Sequence, residues 1–250
     1  MQRCIPSLML TLFFVEDLPT DIGSRYEFDS DDAHHAIKVL RIAAGEIFNL
    51  SDGKGAWSKV SVDNVNKKSM TVRVLATGFE EALSQQFTII QAIPKGDRIK
   101  ESIELSTEGG ADRIVMWKAA RSIGRADEKI EKLQHTAREA SKQSRRFRIP
   151  EVSGVATTEG VVDEIAKANL ALVFHESALQ RISQVVASAV LPAGAKVAII
   201  IGPEGGLTDE ELETFAAAGA KVVLMGRPIL RSAHAGLAAL AAVNTALSVW

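Results

Sequence analysis

The stretch from residue 195 to the C-terminus constrains the fold of this chain more than any other segment. Its apolar, mostly β-branched run at 196–202 has the length and composition of a strand buried on both faces. The run ends in Gly202-Pro203-Glu204-Gly205-Gly206, where three glycines permit positive φ angles and close approach of a ligand, while Pro203 stiffens the turn. The pattern predicts a buried strand followed by a ligand-binding loop.

A helix is predicted directly after this loop. Thr208 and Glu211 match a capping box, which starts the helix at about residue 209. A second buried strand is predicted over 222–226, followed by a loop and an alanine-rich helix with Ser232 as its N-cap. In open α/β sheets, ligands bind where loops leave the carboxyl ends of strands, so we expect these two loops to meet in one crevice.

Neither loop matches a standard nucleotide-binding fingerprint. The sequence has no GxGxxG and no GxxxxGK[ST] motif, so hydride transfer and nucleotide hydrolysis both lose their main support. The two loops therefore predict a pocket for another small molecule. Tight packing of a helix against a sheet is the alternative explanation of the glycines.

The remainder of the chain divides into two predicted regions. Residues 11–78 contain short stretches of strand pattern separated by glycine turns, together with one helix at 31–40, and this spacing suggests a small barrel. Beyond the polar segment 78–86, strands alternate with longer helices, which is typical of a mostly parallel sheet. We therefore predict an α/β protein with domains at 1–80 and 81–250.

Composition and charge limit the classes of partner. The 250 residues are 46% hydrophobic, enough for a substantial core, and the net charge of −2 means that any nucleic-acid contact comes from local patches. The densest positive region lies between 113 and 148, and its segment 142–148 carries four cations and Phe147. That segment suits phosphate contact, with Phe147 or the plane of an arginine available for base stacking, although a helix end with cations that complement the helix dipole is an equal alternative.

Other features argue against secretion, membrane insertion and metal binding. Cys4 is the single cysteine, which favours a cytoplasmic location. The opening apolar run at 5–15 is too short to span a bilayer and lacks a signal-peptide cleavage site. His34 and His35 are adjacent, but no cluster with metal-ligand spacing accompanies them, so we expect no metal.

Six short motifs occur in a diagnostic order along the chain. They are FFVED at 13–17, HHAIKVLR at 34–41, PKGDR at 94–98, EASKQSRR at 139–146, LVFHE at 172–176 and IGPEGGLTDEE at 201–211. Together with ILRSAHAGLAAL at 229–240, they resemble the ribosomal RNA small subunit methyltransferase E family. The resemblance covers nearly the whole chain from about Leu10, which leaves residues 1–8 as a possible appendage.

The resemblance implies a fold and an activity. The fold is a C-terminal SPOUT-like α/β trefoil-knot domain with a mostly parallel sheet, preceded by a PUA-like RNA-binding β-barrel domain, in a homodimer. The activity is methylation of N3 of a uridine in 16S ribosomal RNA of the small subunit, with S-adenosyl-L-methionine as cofactor. The alternatives are a SPOUT methyltransferase acting on another RNA, such as the 2′-O-ribose of tRNA or rRNA, and a non-catalytic RNA-binding or ribosome assembly factor.

One departure from the family pattern bears on the site. Where the family usually has Pro-Arg-Ile-Leu-Arg and then Thr-Glu-Thr-Ala, this chain has Arg227-Pro228-Ile229-Leu230-Arg231 and then Ser232-Ala233-His234-Ala235. The glutamate is missing, which puts an acidic role at that position in doubt. The position leaves His234 without an assigned role.

The predicted site combines the loops with the family resemblance. Arg231 is expected to stabilise negative charge on the uridine carbonyl oxygens, with an ion pair to the last helix as its alternative. Glu204 is expected to orient the base or remove its proton, with fixing of the loop as its alternative. Cofactor contacts are predicted for Phe174, His175, Ile201, Gly202, Pro203, Gly205, Gly206, Leu224, Met225, Gly226, Ile229 and Leu230. RNA contacts are predicted for Lys38, Arg41, Lys95, Arg98, Arg121, Arg125, Arg145, Arg146 and Arg148.

Overall fold

A computed structural model describes residues 10–96, 98–124 and 129–250, and the chain forms two compact units. The first unit contains the chain through Glu81 together with Ser141–Ile149, and the second contains Ala82–Ala140 and Pro150–Trp250. The predicted domain boundary at residue 80 placed Ser141–Ile149 in the second domain, whereas the structure assigns this segment to the first unit. Within the described ranges, no helix is long and apolar enough to cross a membrane.

The first unit is built on a curled five-stranded sheet. Its elements are β1 (Leu12–Phe14), β2 (Arg25–Phe28), α1 (Asp31–Lys38), β3 (Ile47–Ser51), β4 (Ala56–Val65) and β5 (Met70–Phe79), with strand order β1-β3-β4-β5-β2. All neighbours are antiparallel except β1 and β3, and bulges in the pairing of β4 with β5 bend these long strands. The sheet confirms the predicted strand-rich region.

Three phenylalanines form the centre of the first unit. Phe13, Phe28 and Phe48 are almost fully buried, with ring centroids 5.2–5.9 Å apart. Strand β2 was not predicted because it has four residues, of which only Phe28 is buried. Such a short, mostly exposed strand leaves no alternating pattern in the sequence.

The second unit contains a seven-stranded sheet in which every neighbouring pair is parallel. The strand order is β10-β12-β9-β11-β6-β7-β8. The strands are β6 (Gln85–Ala92), β7 (Arg113–Trp117), β8 (Glu151–Ala156), β9 (Leu170–Phe174), β10 (Gln180–Arg181), β11 (Ala195–Ile201) and β12 (Lys221–Leu224). The helices are α2 (Arg98–Glu108), α3 (Ile130–Gln143), α4 (Thr158–Lys167), α5 (Ile182–Ala187), α6 (Asp209–Ala217) and α7 (Ser232–Ala246). The mostly parallel α/β sheet is thus confirmed.

Strand β11 is the buried strand predicted from the apolar run at 196–202, and its position in the sheet explains that run. It lies between β9 and β6, and Val197–Ile201 are buried on both faces of the sheet. A central parallel strand covered by helices tolerates no alternating polar residues. Strands β8 and β10 lie at the two edges of the sheet, where both residues of β10 are exposed and only Val152 of β8 is buried, so neither strand has an apolar run by which it could be predicted.

The predicted base-stacking role of Phe147 was wrong. Its side chain is 4% exposed and stacks on Trp57, with ring centroids 5.9 Å apart and planes at 24°. The carbonyl oxygen of Phe147 also accepts a hydrogen bond from the Ser51 hydroxyl at 3.2 Å. Because the ring belongs to the core of the first unit, it is not available to stack on a base.

Candidate functional site

Three loops at the carboxyl edge of the parallel sheet surround a cavity of about 460 Å³. They follow β9, β11 and β12, which are neighbours in the sheet, so their carboxyl ends lie together. The cavity has the size of a pocket for a drug-sized ligand or cofactor. The predicted crevice therefore exists, and the loop after Phe174 supplies its third wall.

The cavity brings together side chains and main chain from all three loops. Its walls include each residue predicted to contact the cofactor, namely Phe174, His175, Ile201, Gly202, Pro203, Gly205, Gly206, Leu224, Met225, Gly226, Ile229 and Leu230. Arg231 and Glu204 also line it. Ser232 and Ala235, in the first turn of α7, line the cavity without having been predicted to do so.

Glycine is required at the three glycine positions of the loop after β11 for different physical reasons. Gly206 has a φ of 73°, a conformation that favours glycine. A Cβ atom at residue 205 would lie 3.1 Å from the Cβ and 3.2 Å from the carbonyl oxygen of Arg121. A Cβ atom at residue 202 would lie 3.1 Å from Leu207. Thus one glycine supplies a turn and two permit close packing.

The predicted capping box at the start of α6 is confirmed. The hydroxyl of Thr208 accepts a hydrogen bond from the Glu211 amide at 3.1 Å, and Glu211 Oε2 accepts one from the Thr208 amide at 2.9 Å. These bonds fix the point at which the glycine loop becomes helix.

Glu204 links the glycine loop to the segment that follows β6. Its two carboxylate oxygens each lie 3.3 Å from the donating amide nitrogen of Lys95, and Oε1 lies 3.5 Å from Arg98 Nη1. Two residues predicted to contact RNA therefore hold Glu204. This geometry matches the alternative in which Glu204 fixes the loop.

Ser232 does not act as the N-cap of α7, so that prediction was wrong. The helix begins at Ser232, and Arg231 occupies the N-cap position without a capping side-chain bond. The Ser232 hydroxyl instead donates to the carbonyl oxygen of Gly202 at 2.7 Å and accepts from Gln91 Nε2 at 2.9 Å. Because Gln91 lies on β6 and Gly202 begins the loop after β11, these two bonds join α7 to β6 and to the glycine loop.

Arg231 places a cation at the wall of the cavity. Arg231 is exposed to solvent, and its carbonyl oxygen accepts hydrogen bonds from the amides of His234 and Ala235. Within the part of the chain that the structure describes, its guanidinium has no hydrogen bond or ion pair. The alternative role of Arg231, an ion pair that stabilises the last helix, therefore has no partner among those residues.

The two histidines near the C-terminal loops differ in position. His175 lines the cavity, and its Nδ1 lies 2.7 Å from the Ser177 hydroxyl. His234 is not among the lining residues, and its Nε2 lies 3.0 Å from Glu101 Oε1 on α2. His234, which lies where the family usually has Thr-Glu-Thr, thus contributes to the packing of α7 on α2.

The cations predicted to bind RNA lie in several elements. Lys38 and Arg41 are exposed at and beyond the end of α1, and Arg145 is exposed after α3. Arg148 donates two hydrogen bonds to the Glu80 carbonyl, at 3.0 and 2.7 Å, and lies 5.0 Å above the Phe79 ring. Arg125 lies outside the described residues.

A carboxylate of the first unit is influenced by this basic segment. Burial raises the pKa of Glu80, and the nearby cations Arg146 and Arg148 partly offset that effect.

Over residues 10–96, 98–124 and 129–250, no group of three or more His, Cys, Asp or Glu residues could hold a metal ion.

Comparison with known proteins places one match on each side of residue 80. An RNA methyltransferase domain profile matches residues 81–244, and an RNA methyltransferase PUA domain profile matches residues 28–75. A ribosomal RNA small subunit methyltransferase E from Mycobacterium bovis is 36% identical over 97% of this chain and 94% of its own length. Its counterpart from Bacillus subtilis is 28% identical over 94% of this chain and 93% of its own length.

A solved structure is similar over almost the same span. The crystal structure of a ribosomal RNA small subunit methyltransferase E from Neisseria gonorrhoeae, bound to S-adenosyl methionine, has a TM-score of 0.82 and 26% identity. The similarity covers 94% of this chain and 97% of that one.

Proposed function

Because the chain belongs to the ribosomal RNA small subunit methyltransferase E family, we propose that it transfers a methyl group from S-adenosylmethionine to N3 of a uridine in 16S ribosomal RNA. The chain is an RNA methyltransferase of α/β SPOUT architecture with a PUA-like domain. The observation that carries the proposal is the cavity at the ends of β9, β11 and β12, because glycine main chain forms one wall and Arg231, whose guanidinium has no partner among the described residues, forms another.

The residues of the cavity fit S-adenosylmethionine. Gly205 and Gly206 line the cavity, and peptide groups suit the hydrogen-bonding edges of adenine and ribose. Ile229 and Leu230 are 80% and 41% exposed, so they are available to cover an aromatic ring. When bound, the cofactor supplies an activated methyl group, and the protein has to hold it in line with the acceptor. Alignment of this kind accounts for roughly 7–11 kcal/mol in ideal cases.

Arg231 is assigned to the acceptor. Uridine N3 carries a proton, and negative charge develops on the neighbouring carbonyl oxygens as that proton leaves. A fixed cation at that point lowers the barrier. The guanidinium of Arg231 has no described partner to satisfy first, so its donors are available to the base. Glu204, held by Lys95 and Arg98, is assigned to the shape of the loop.

Binding of the RNA requires cations beyond the cavity. The target base has to be unstacked to enter the pocket, which requires a grip on the flanking phosphates. The exposed cations Lys38, Arg41 and Arg145 are suited to this contact. Small-subunit RNA as substrate, a homodimer and a trefoil knot belong to the same proposal and rest on family resemblance. A cytoplasmic location is proposed with them and rests on the single cysteine, Cys4.

Nucleoside analysis of 16S ribosomal RNA from a deletion strain tests the reaction. We expect N3-methyluridine to be lost from that RNA and restored by the wild-type gene. An unchanged level of N3-methyluridine would reject the assigned base position. Calorimetry of the purified protein with S-adenosylmethionine separates an enzyme from a non-catalytic RNA-binding factor, since the latter needs no cofactor affinity.

A further inference from the structure

A segment that follows β7, residues 118–122, lies against the glycine loop. Arg121 Nη1 donates to the carbonyl oxygens of Gly205 at 3.3 Å and Leu207 at 3.2 Å. The main chain of Arg121 packs closely at the same point, where any side chain at residue 205 would meet it. The contact therefore involves both the side chain and the backbone of Arg121.

Glu211 joins the same two segments from the protein interior. Its residue is only 4% exposed, and its Oε1 accepts a hydrogen bond from the Ala120 amide at 2.8 Å. Its Oε2 accepts the Thr208 amide that completes the capping box. A buried carboxylate with an amide donor at each oxygen forms strong, charge-assisted bonds. Glu211 thus anchors the segment that carries Arg121.

Together these bonds fix the orientation of two peptide groups in the loop. The peptide between Gly205 and Gly206 is held by Arg121 at its oxygen and by the Pro203 carbonyl at its nitrogen. The peptide between Leu207 and Thr208 is held by Arg121 at its oxygen and by Glu211 at its nitrogen. Because each peptide group is planar, fixing both ends fixes the orientation of the loop wall.

We propose that Arg121 is a positioning residue for the methyl donor: its guanidinium holds the glycine loop in its binding shape, and the buried Glu211 carboxylate anchors it. The inference rests on the proposed function, in which this cavity binds S-adenosylmethionine. A loop that is ordered before binding loses less conformational entropy on binding. Arg121 is therefore expected to increase the affinity of the protein for the methyl donor. It assigns Arg121 a role different from the RNA contact expected from its charge.

The variants R121A and R121K test this role, with K118A as the matched control. Lys118 is an exposed cation in the same segment, and no described side-chain bond engages it. We expect R121A to weaken S-adenosylmethionine binding by about tenfold in calorimetry without RNA, the equivalent of two lost hydrogen bonds. The KM for the donor should rise by a similar factor, while kcat at saturating donor stays within about twofold.

Two comparisons distinguish positioning from other roles. R121K, which retains a donating cation, should recover part of the affinity, and K118A should behave as wild type. RNA affinity and its salt dependence should be the same in R121A and wild type, since a phosphate contact would reduce the salt slope by about one. Unchanged donor affinity in R121A, or a loss confined to RNA binding, would overturn the inference.

Hydrogen exchange gives a readout that does not depend on the donor. The amides of Gly206 and Thr208 are hydrogen-bonded within the loop, and we expect them to exchange faster in R121A than in wild type or K118A. Unchanged exchange would contradict the positioning role. Absence of donor binding by wild-type protein would instead reject the proposed function, and the exchange experiment would still decide whether Arg121 orders the loop.

Discussion

At the junction of the last loop and α7, Arg231 combines exposure, a place in the cavity wall and a guanidinium without a described partner. An arginine that stabilised α7 would have an acceptor within reach, and the described residues provide none. Its charge is therefore available to a substrate. This combination distinguishes Arg231 from Arg121, whose guanidinium is engaged by two carbonyl groups of the protein.

The variant R231A should lower kcat far more than it lowers donor affinity. Removing a donor that stabilises developing negative charge typically costs 10²–10³-fold in turnover, and we expect a loss of about that size. Donor affinity measured by calorimetry should change by less than about threefold. R227A is a suitable control because Arg227 is exposed in the same loop but does not line the cavity. Near-normal turnover of R231A would remove Arg231 from the catalytic assignment.

At the scale of elements, an ion pair joins α4 to the strand β7. Arg113 Nη1 lies 2.8 Å from Glu164 Oε2, and Lys167 lies 2.9 Å from Glu164 Oε1. Partial burial raises the pKa of Glu164, but the hydrogen bonds and charges of Arg113 and Lys167 outweigh it, so the pKa is lowered overall. The folded state therefore binds this proton less readily than the unfolded state does.

The substitution E164Q should reduce the free energy of unfolding at neutral pH, by about 1 kcal/mol for a partly exposed pair. Since the folded pKa is lowered, the stabilisation is present above the ordinary glutamate pKa and is lost as pH falls through the folded value. Denaturant unfolding at several pH values measures this difference. E213Q, at an exposed position on α6, is the control. A difference that persists undiminished in acid would contradict the assigned cause.

At the scale of the whole molecule, the net charge is −2, so RNA binding has to rely on local groups of cations. The segment Ser141–Ile149 belongs to the first unit, although it begins with the last three residues of α3, whose preceding part belongs to the second unit. It carries Arg145 and Arg146, whereas Phe147 is buried in the core of that unit. The structure thus anchors this basic segment through an aromatic side chain.

Replacing Arg145 and Arg146 together by glutamine should weaken RNA binding and flatten its salt dependence. Two lost contacts to single-stranded phosphates correspond to a slope reduced by about 1.4. Filter binding over a range of salt concentrations measures the slope, and a thermal melt checks the fold. Lys67 and Lys68, exposed in the turn between β4 and β5, provide a control with the same charge change. An unaltered slope would place the two arginines off the RNA.

The sequence by itself determined the features that depend on neighbouring residues. The apolar run of β11, the glycine loop and the Thr208–Glu211 capping box were all evident, because burial and capping act over a few residues along the chain. The predicted cofactor contacts that line the cavity came from these loops together with the family resemblance, because they lie at or after the carboxyl ends of recognisable strands. Ser232 and Ala235, which belong to α7, were not predicted.

Only the tertiary structure decided what the individual side chains contact. Ser232 bonds to Gly202 and Gln91, Glu204 bonds to Lys95, and Phe147 packs on Trp57, all across long sequence separations. A hydroxyl, carboxylate or ring has the same local signature whether it faces solvent or a distant segment. Its partner is fixed only when segments from separate parts of the chain are placed side by side.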